Sequence, residues 1–206
     1  MKFFSPRALQ AAAVLVAVTG IATMPHPSHR TNAAVPNLLT NGDFAAGLRG
    51  WNTWPSGGRV TSLNGHAVLT VTEVNSEVSW VVEDTCVGGI VPGDSYEVAV
   101  DILIPMQQTR DGHGAGYVAF FSEPNCTGGH LGAISGQWPG DDGLWHTRAS
   151  TMVAPPAAKS ARVGIETTRY ALPSGGAAGD PYEVWFDNAS LTDLSSQTAP
   201  TTFPRD

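Results

Sequence analysis

The chain has 206 residues, 42% of them apolar and 14% charged, with 11 basic against 18 acidic side chains and a formal net charge of −7. That length suits one domain with a substantial buried core. The acidic balance sets nucleic acid and anionic membrane surfaces aside as partners and leaves neutral or cationic ones.

Taken in chain order, Lys2 and Arg7 precede an apolar run at 8–22, the pattern of a secretory signal peptide, with small residues at Ala22 and Ala33 for cleavage. Residues 1–34 are therefore expected to be a signal peptide and flexible leader, and the protein to be secreted and extracellular. A mature chain from Val35 carries 8 basic and 18 acidic residues, net −10. Short alternating segments then follow, cut by Gly and Pro. They predict strands at 38–40, 60–63, 67–73, 77–82, 95–104, 116–122, 145–153, 160–168 and 183–192. In 95–104, Tyr96, Val98, Val100, Ile102 and Ile104 share one face, with Glu97, Ala99, Asp101 and Leu103 on the other. Ala161, Val163 and Ile165 face inward by the same phase, and Arg162, Gly164 and Glu166 outward. Asn64-Gly65 between two apolar runs predicts a hairpin. Long loops are expected at 107–115, 123–130, 135–143 and 172–180, the last mobile. The sandwich is expected to occupy 35–193, and the Ser/Thr/Pro-rich stretch 194–206 to be a disordered tail. The whole reads as an all-β sandwich.

The two cysteines, Cys86 and Cys126, would form a disulfide in an exported chain, closing a loop of about 40 residues. Two free thiols are the other reading. No His stands at ligand spacing from them for zinc.

NLLTNGDFAAGLRGW at 37–51 resembles the opening of domains of carbohydrate-binding-module family 4/9: an apolar pair, Asn-Gly-Asp-Phe, a Gly-rich turn and Gly-Trp. VPGDSYEVAVDI at 91–102 resembles the family's Pro-Gly-x-x-Tyr strand, and VWFDNASLT at 184–192 its closing strand. The resemblance spans about 37–193 and implies a galactose-binding-like jelly roll with glycan as ligand. Many relatives carry an acidic residue after the Phe, where it helps hold a structural calcium with the Asp of the closing strand. Here that position is Ala45, leaving Asp43 and Asp187 as the available carboxylates. In the alternative reading Asp187 accepts backbone hydrogen bonds from the first strand.

Sugar rings pack C–H faces on aromatic planes and pair their hydroxyls with planar polar groups. Of six tryptophans, Trp51, Trp145 and Trp185 are expected in the core, although Trp185 is out of phase with Phe186. Trp54 in WPSGG reads as a turn residue and Trp138 in GQWPGDDG as a loop residue, and either covers an edge or meets a ligand. Trp80, Tyr117 and Tyr170 divide between core and binding face in the same way. Asp101, Arg162 and Glu166 face away from the core, and Gln137 and Asp141 flank Trp138. No nucleophile elbow is present, and neither Glu83-Asp84 nor Asp141-Asp142 fixes a glycosidase pair.

Three functions compete. The first is a non-catalytic module that binds a polysaccharide or glycan and is partnered by a separately encoded enzyme or surface protein. The second is a structural or adhesive sandwich that binds protein. The third is a lyase or hydrolase on a jelly roll. Exposed rings beside Asp, Gln or Arg would favour the first, and two carboxylates converging in a pocket would revive the third.

Overall fold

The structure is a computed structural model that describes residues 36–72, 78–108, 111–170 and 181–198. The expected leader, the 172–180 loop and residues 199–206 of the expected tail lie outside the described residues. Ten strands are present among them: β1 Asn52–Ser56, β2 Gly58–Leu63, β3 His66–Val71, β4 Val78–Gly88, β5 Ser95–Leu103, β6 Gly112–Glu123, β7 Thr127–Trp138, β8 Trp145–Val153, β9 Ser160–Tyr170 and β10 Tyr182–Asp193. They form two five-stranded antiparallel sheets, ordered β1-β4-β9-β6-β7 and β2-β3-β10-β5-β8, packed face to face as a jelly-roll β-sandwich.

The core is built by strict alternation. Tyr96, Val98, Val100 and Ile102 from β5 meet Ala161, Val163 and Ile165 from β9, with Val118 and Phe120 from β6 and Val184 and Phe186 from β10. Each large aliphatic side chain buried this way contributes about 1.5–3 kcal/mol. Glycines on β6 set the inter-sheet distance. A Cβ at Gly114 would come within 2.7 Å of Val184 and 2.8 Å of Ile102, so a side chain there would force the sheets apart.

The opening stretch is not the strand expected at 38–40. It is a strap of turns, because Asn41 and Phe44 adopt positive φ of 59° and 50° and the chain cannot stay extended. Asn37 ties the strap to β10. Its side chain donates to the Ala189 carbonyl at 2.9 Å and accepts from the Leu39 and Leu191 amides at 3.0 Å. Phe44 and Trp51 are buried with ring centres 5.0 Å apart, as expected of core staples.

Two strands exceed expectation. β1 covers the turn expected around Trp54, and β7 runs through 127–138, where the expected loops 123–130 and 135–143 take in most positions. The chain also remains ordered past 193: a 3-10 turn at Ser195–Thr198 docks on β5, with the Ser95 amide donating to Ser195 Oγ at 2.9 Å. Residues 194–198 of the stretch expected to be disordered are therefore held against the sandwich.

The Cys86–Cys126 disulfide is formed, with Cα atoms 5.9 Å apart. It joins β4 to the 3-10 turn Pro124–Cys126 between β6 and β7.

Candidate functional site

The strand register places the predicted polar and aromatic residues. On the outer face of the first sheet one row crosses Trp54, Val82, Glu166, Ala115 and Gln137. The next row crosses Asn52, Asp84, Gly164, Tyr117 and Ser135. Two adjoining hollows of about 300 and 270 Å³ lie over these rows and share Val82 and Tyr117, so they form one groove running across the strands. Trp54 is 51% exposed at one end, on edge strand β1. Ala133, Ile134 and Ser135 of the opposite edge strand β7 line the other end.

Tyr117 lies flat on the sheet because Gly164 beneath it has no side chain. A Cβ at 164 would fall 2.3–2.5 Å from the ring carbons and hydroxyl. The Tyr117 hydroxyl donates to Asp84 Oδ2 at 3.5 Å. Burial, with the Asp84 charge, pushes the phenol's pKa up, so it stays a neutral donor. Arg162 Nε stands 3.6 Å from the same Asp84 oxygen. Its guanidinium also donates to the Cys126 carbonyl at 3.4 Å and lies 5.1 Å from the Phe121 ring centre and 5.8 Å from that of Trp54. Burial raises the Asp84 pKa and Arg162 opposes that rise. Burial also raises the Glu166 pKa. No hydrogen bond or ion pair reaches Glu166 from the described residues, so it is the open acceptor of the groove.

The structure therefore brings together Trp54, Tyr117, Arg162 and Glu166, with exposed Gln137 on the same face at β7. Tyr170 is 42% exposed at the end of β9, where its hydroxyl meets His113 Nδ1 at 2.7 Å. Burial lowers the pKa of His113, favouring its neutral form. Trp80 is opposite Ser56 and Thr168 in register, and its side chain lies outside the described residues.

Trp138 and Asp141 do not join this groove. Trp138 is opposite Gly114, whose missing side chain would point into the core, so its indole turns away from Gln137 and packs on the sandwich edge. His146 stacks on it at 4.0 Å and the Arg148 guanidinium carbon lies 4.0 Å from its centre. Asp141 is exposed in the turn beyond, where its charge acts on Tyr182. Asp101 belongs to the second sheet, not beside Arg162 and Glu166. It is buried there, accepting from Thr147 Oγ1 at 2.5 Å and Asn188 Nδ2 at 2.9 Å. Trp145 is not a core residue: like Trp185 it is half-buried on the outer face of the second sheet. Their ring centres lie 5.1 and 5.9 Å from that of His66.

In the sequence Asp84 stands out only as half of the adjacent Glu83-Asp84 pair, not as a groove residue. Its signal was the β4 phase that pairs it with Val82, hidden because 77–82 ends too early.

The two carboxylates considered for calcium are engaged otherwise. Asp43 is exposed and accepts from the Ala45 amide at 3.2 Å. Asp187 accepts from the Asn188 amide at 2.7 Å and faces His66 Nδ1 at 3.1 Å. Strap amides are received by Asn37, Asn41 and Asp43 side chains: Leu39 donates to Asn37, Ala46 to Asn41 and Ala45 to Asp43. Among the described residues no three His, Cys, Asp or Glu side chains are grouped to hold a metal ion. Calcium takes six to eight oxygens, and each of these two carboxylates already holds a partner within the chain.

Asp84 and Glu166 both line the groove, which is the arrangement the enzymatic alternative asked for. Asp84, however, is 4% exposed and committed to Arg162 and Tyr117. The groove offers one open carboxylate, two aromatic surfaces and fixed donors, a set suited to holding a polyhydroxylated ligand.

No family model matches the chain, and no curated protein matches it in sequence. Solved structures match its fold. The enzymatically active domain of tailspike protein 4 of bacteriophage CBA120 is 14% identical with a TM-score of 0.57, covering 77% of this chain and 21% of that one. The arabinose-bound α-L-arabinofuranosidase MgGH51 is 18% identical with a TM-score of 0.52, covering 77% and 26%. The chain thus spans about a fifth to a quarter of these two proteins. A family 4 carbohydrate-binding module is 16% identical with a TM-score of 0.48, covering 75% of this chain and 99% of the module.

Proposed function

We propose that this chain is a secreted, non-catalytic carbohydrate-binding module of the family 4/9 type that holds a polysaccharide or glycan in the groove of the first sheet. One observation carries the reading: Trp54 and Tyr117 offer ring surfaces in a single groove that also presents Arg162 and Glu166. A glycan strand crossing the β-strands would lie on Tyr117 and the exposed Trp54. Its hydroxyls would donate to Glu166 and to the Tyr117 hydroxyl oxygen, and accept from Arg162. Binding is reversible and breaks no bond, and any hydrolytic partner is a separately encoded enzyme or surface protein.

The test is a pull-down of the folded protein on cellulose, xylan, β-glucan, mannan, chitin and pectin, with and without calcium. Retention on one or two polymers, competed by their soluble oligosaccharides, supports the reading. Retention that a chelator abolishes would restore a calcium site to it. No retention on any polymer favours the structural, protein-binding sandwich, and release of reducing ends from a retained polymer favours the hydrolase.

A further inference from the structure

The charges in the groove do not balance. Asp84 and Arg162 neutralise each other at 3.6 Å. Glu166 has no such partner among the described residues. Its cross-strand neighbours on the groove face are Val82 and Ala115, both uncharged, and its neighbours along β9 on that face are Gly164 and Thr168. The other titratable groups turned toward it are Tyr117, Asp84 and His113. Tyr117 stays neutral, Asp84 is acidic, and His113 is kept neutral by burial and occupied by Tyr170. Of the two cations on β9, Arg169 is buried in the core-facing phase of the strand, and Arg162, on the groove face four residues away, is committed to Asp84. Among the described residues the groove therefore carries one uncompensated negative charge in a partly desolvated site, on a chain that is itself net negative.

A neutral sugar hydroxyl donates a hydrogen bond to such a carboxylate but leaves its charge in place. A sugar ammonium supplies both the donor and the missing charge, and charge-assisted bonds are roughly twice as strong as neutral ones. An ammonium borne next to the ring lies close enough to reach Glu166 while the ring face rests on Tyr117. We propose that the ligand is a cationic glycan, a polymer of sugars with free amino groups, whose ammonium seats at Glu166 beside the Tyr117 ring. This rests on the glycan-binding reading of the same groove and names its ligand class. Long-range attraction between the acidic chain and a cationic polymer would also speed encounter and make binding salt-dependent.

The test uses the full chain and three oligosaccharides of equal length: a fully deacetylated chito-oligomer, its N-acetylated counterpart and a cello-oligomer. Affinities are measured by calorimetry at about pH 6 and low salt. The free-amine oligomer is expected to bind at least about tenfold tighter than the other two, and to lose that margin as salt rises. Glu166→Gln should abolish the margin; because the same side chain also accepts from neutral hydroxyls, all three oligomers can weaken, and the readout is the ratio of their affinities within each variant. Glu97→Gln, on the second sheet, should leave it intact, which separates a seated ammonium from general attraction to an acidic surface. On the acid side the margin should fall as Glu166 protonates, and on the alkaline side as the amine loses its proton. Equal or tighter binding of a neutral oligomer, or a margin that survives Glu166→Gln, overturns the proposal while sparing glycan binding. Failure of all three oligomers and of the polysaccharide panel would sink both.

Discussion

Replacing Gly164 with Ala isolates the groove from the fold. The new methyl would lie 2.3–2.5 Å from the Tyr117 ring and hydroxyl, so the ring must lift off the sheet. Backbone strain is not at issue, since Gly164 sits in the middle of a regular strand and Ala is the better strand residue by about 0.5–1 kcal/mol. Crowding costs about 1–3 kcal/mol where nothing can move, but here the obstacle is the far end of a half-buried side chain at the surface. Net destabilisation should be about 0–2.5 kcal/mol. The lifted ring loses its stacking surface, about 0.5–1.5 kcal/mol, and its directed hydroxyl, another 0.5–1.5 kcal/mol. Affinity should therefore fall about 5- to 150-fold. Urea unfolding and calorimetry on the same preparation measure the two effects. In a Tyr117→Ala background the Gly164→Ala change should cost almost no further affinity, because the two substitutions act on one ring. Undiminished binding by the folded single variant would refute Tyr117 as the platform.

Other substitutions test separate parts of the structure. Trp54→Ala should change stability by less than about 0.5 kcal/mol, since the ring is half exposed, yet weaken glycan retention. Trp138→Ala should cost about 2–4 kcal/mol because it empties a packed edge, with retention kept whenever the protein is folded. Cys86→Ala with Cys126→Ala should lower stability by about 4 kcal/mol for a 40-residue separation, and the unreduced, denatured wild type should show no reactive thiol. Glu83 faces the core, bonded to Thr53 Oγ1, and burial raises its pKa above the ordinary glutamate range. In the window between its ordinary and raised values the folded state binds more protons than the unfolded one, so stability falls as pH rises through it. Glu83→Gln should flatten that fall in unfolding experiments run across pH, and an unchanged slope would place the titration elsewhere.

Sequence reading succeeded where side chains alternate cleanly. The 145–153 strand is bounded to the residue by the flanking turn residues, and the inward phase of β5 and β9 is correct because apolar residues stand at 96, 98, 100 and 102 and at 161, 163 and 165. It failed on β7, TGGHLGAISGQW, whose glycines resemble turn signals while serving a close approach between sheets. It failed on β1 because Trp-Pro-Ser looks like a turn, although an edge strand tolerates a proline. The site suffered from the same errors. Trp54 and Trp138 looked equivalent as loop indoles, yet strand phase sends the first to the groove and the second to the packed edge. Arg162 and Glu166 were legible from phase alone, but Asp101 satisfied the same test on the other sheet. Phase fixes a face of a strand, and only pairing fixes which sheet that face belongs to.

The disulfide has a mechanical consequence. The strands order β4-β9-β6 in the first sheet, so a bond from β4 to the turn after β6 reaches across β9. A polymer lying in the groove and dragged along its own axis pulls the edge strands apart, the geometry in which backbone ladders unzip one bond at a time. With that staple in place the three middle strands cannot peel sequentially from their disulfide end. The load is passed to a covalent bond, and tearing must start at β1 or β7. Tethered to an insoluble polymer in moving fluid, the protein would shed an edge before it lost its centre.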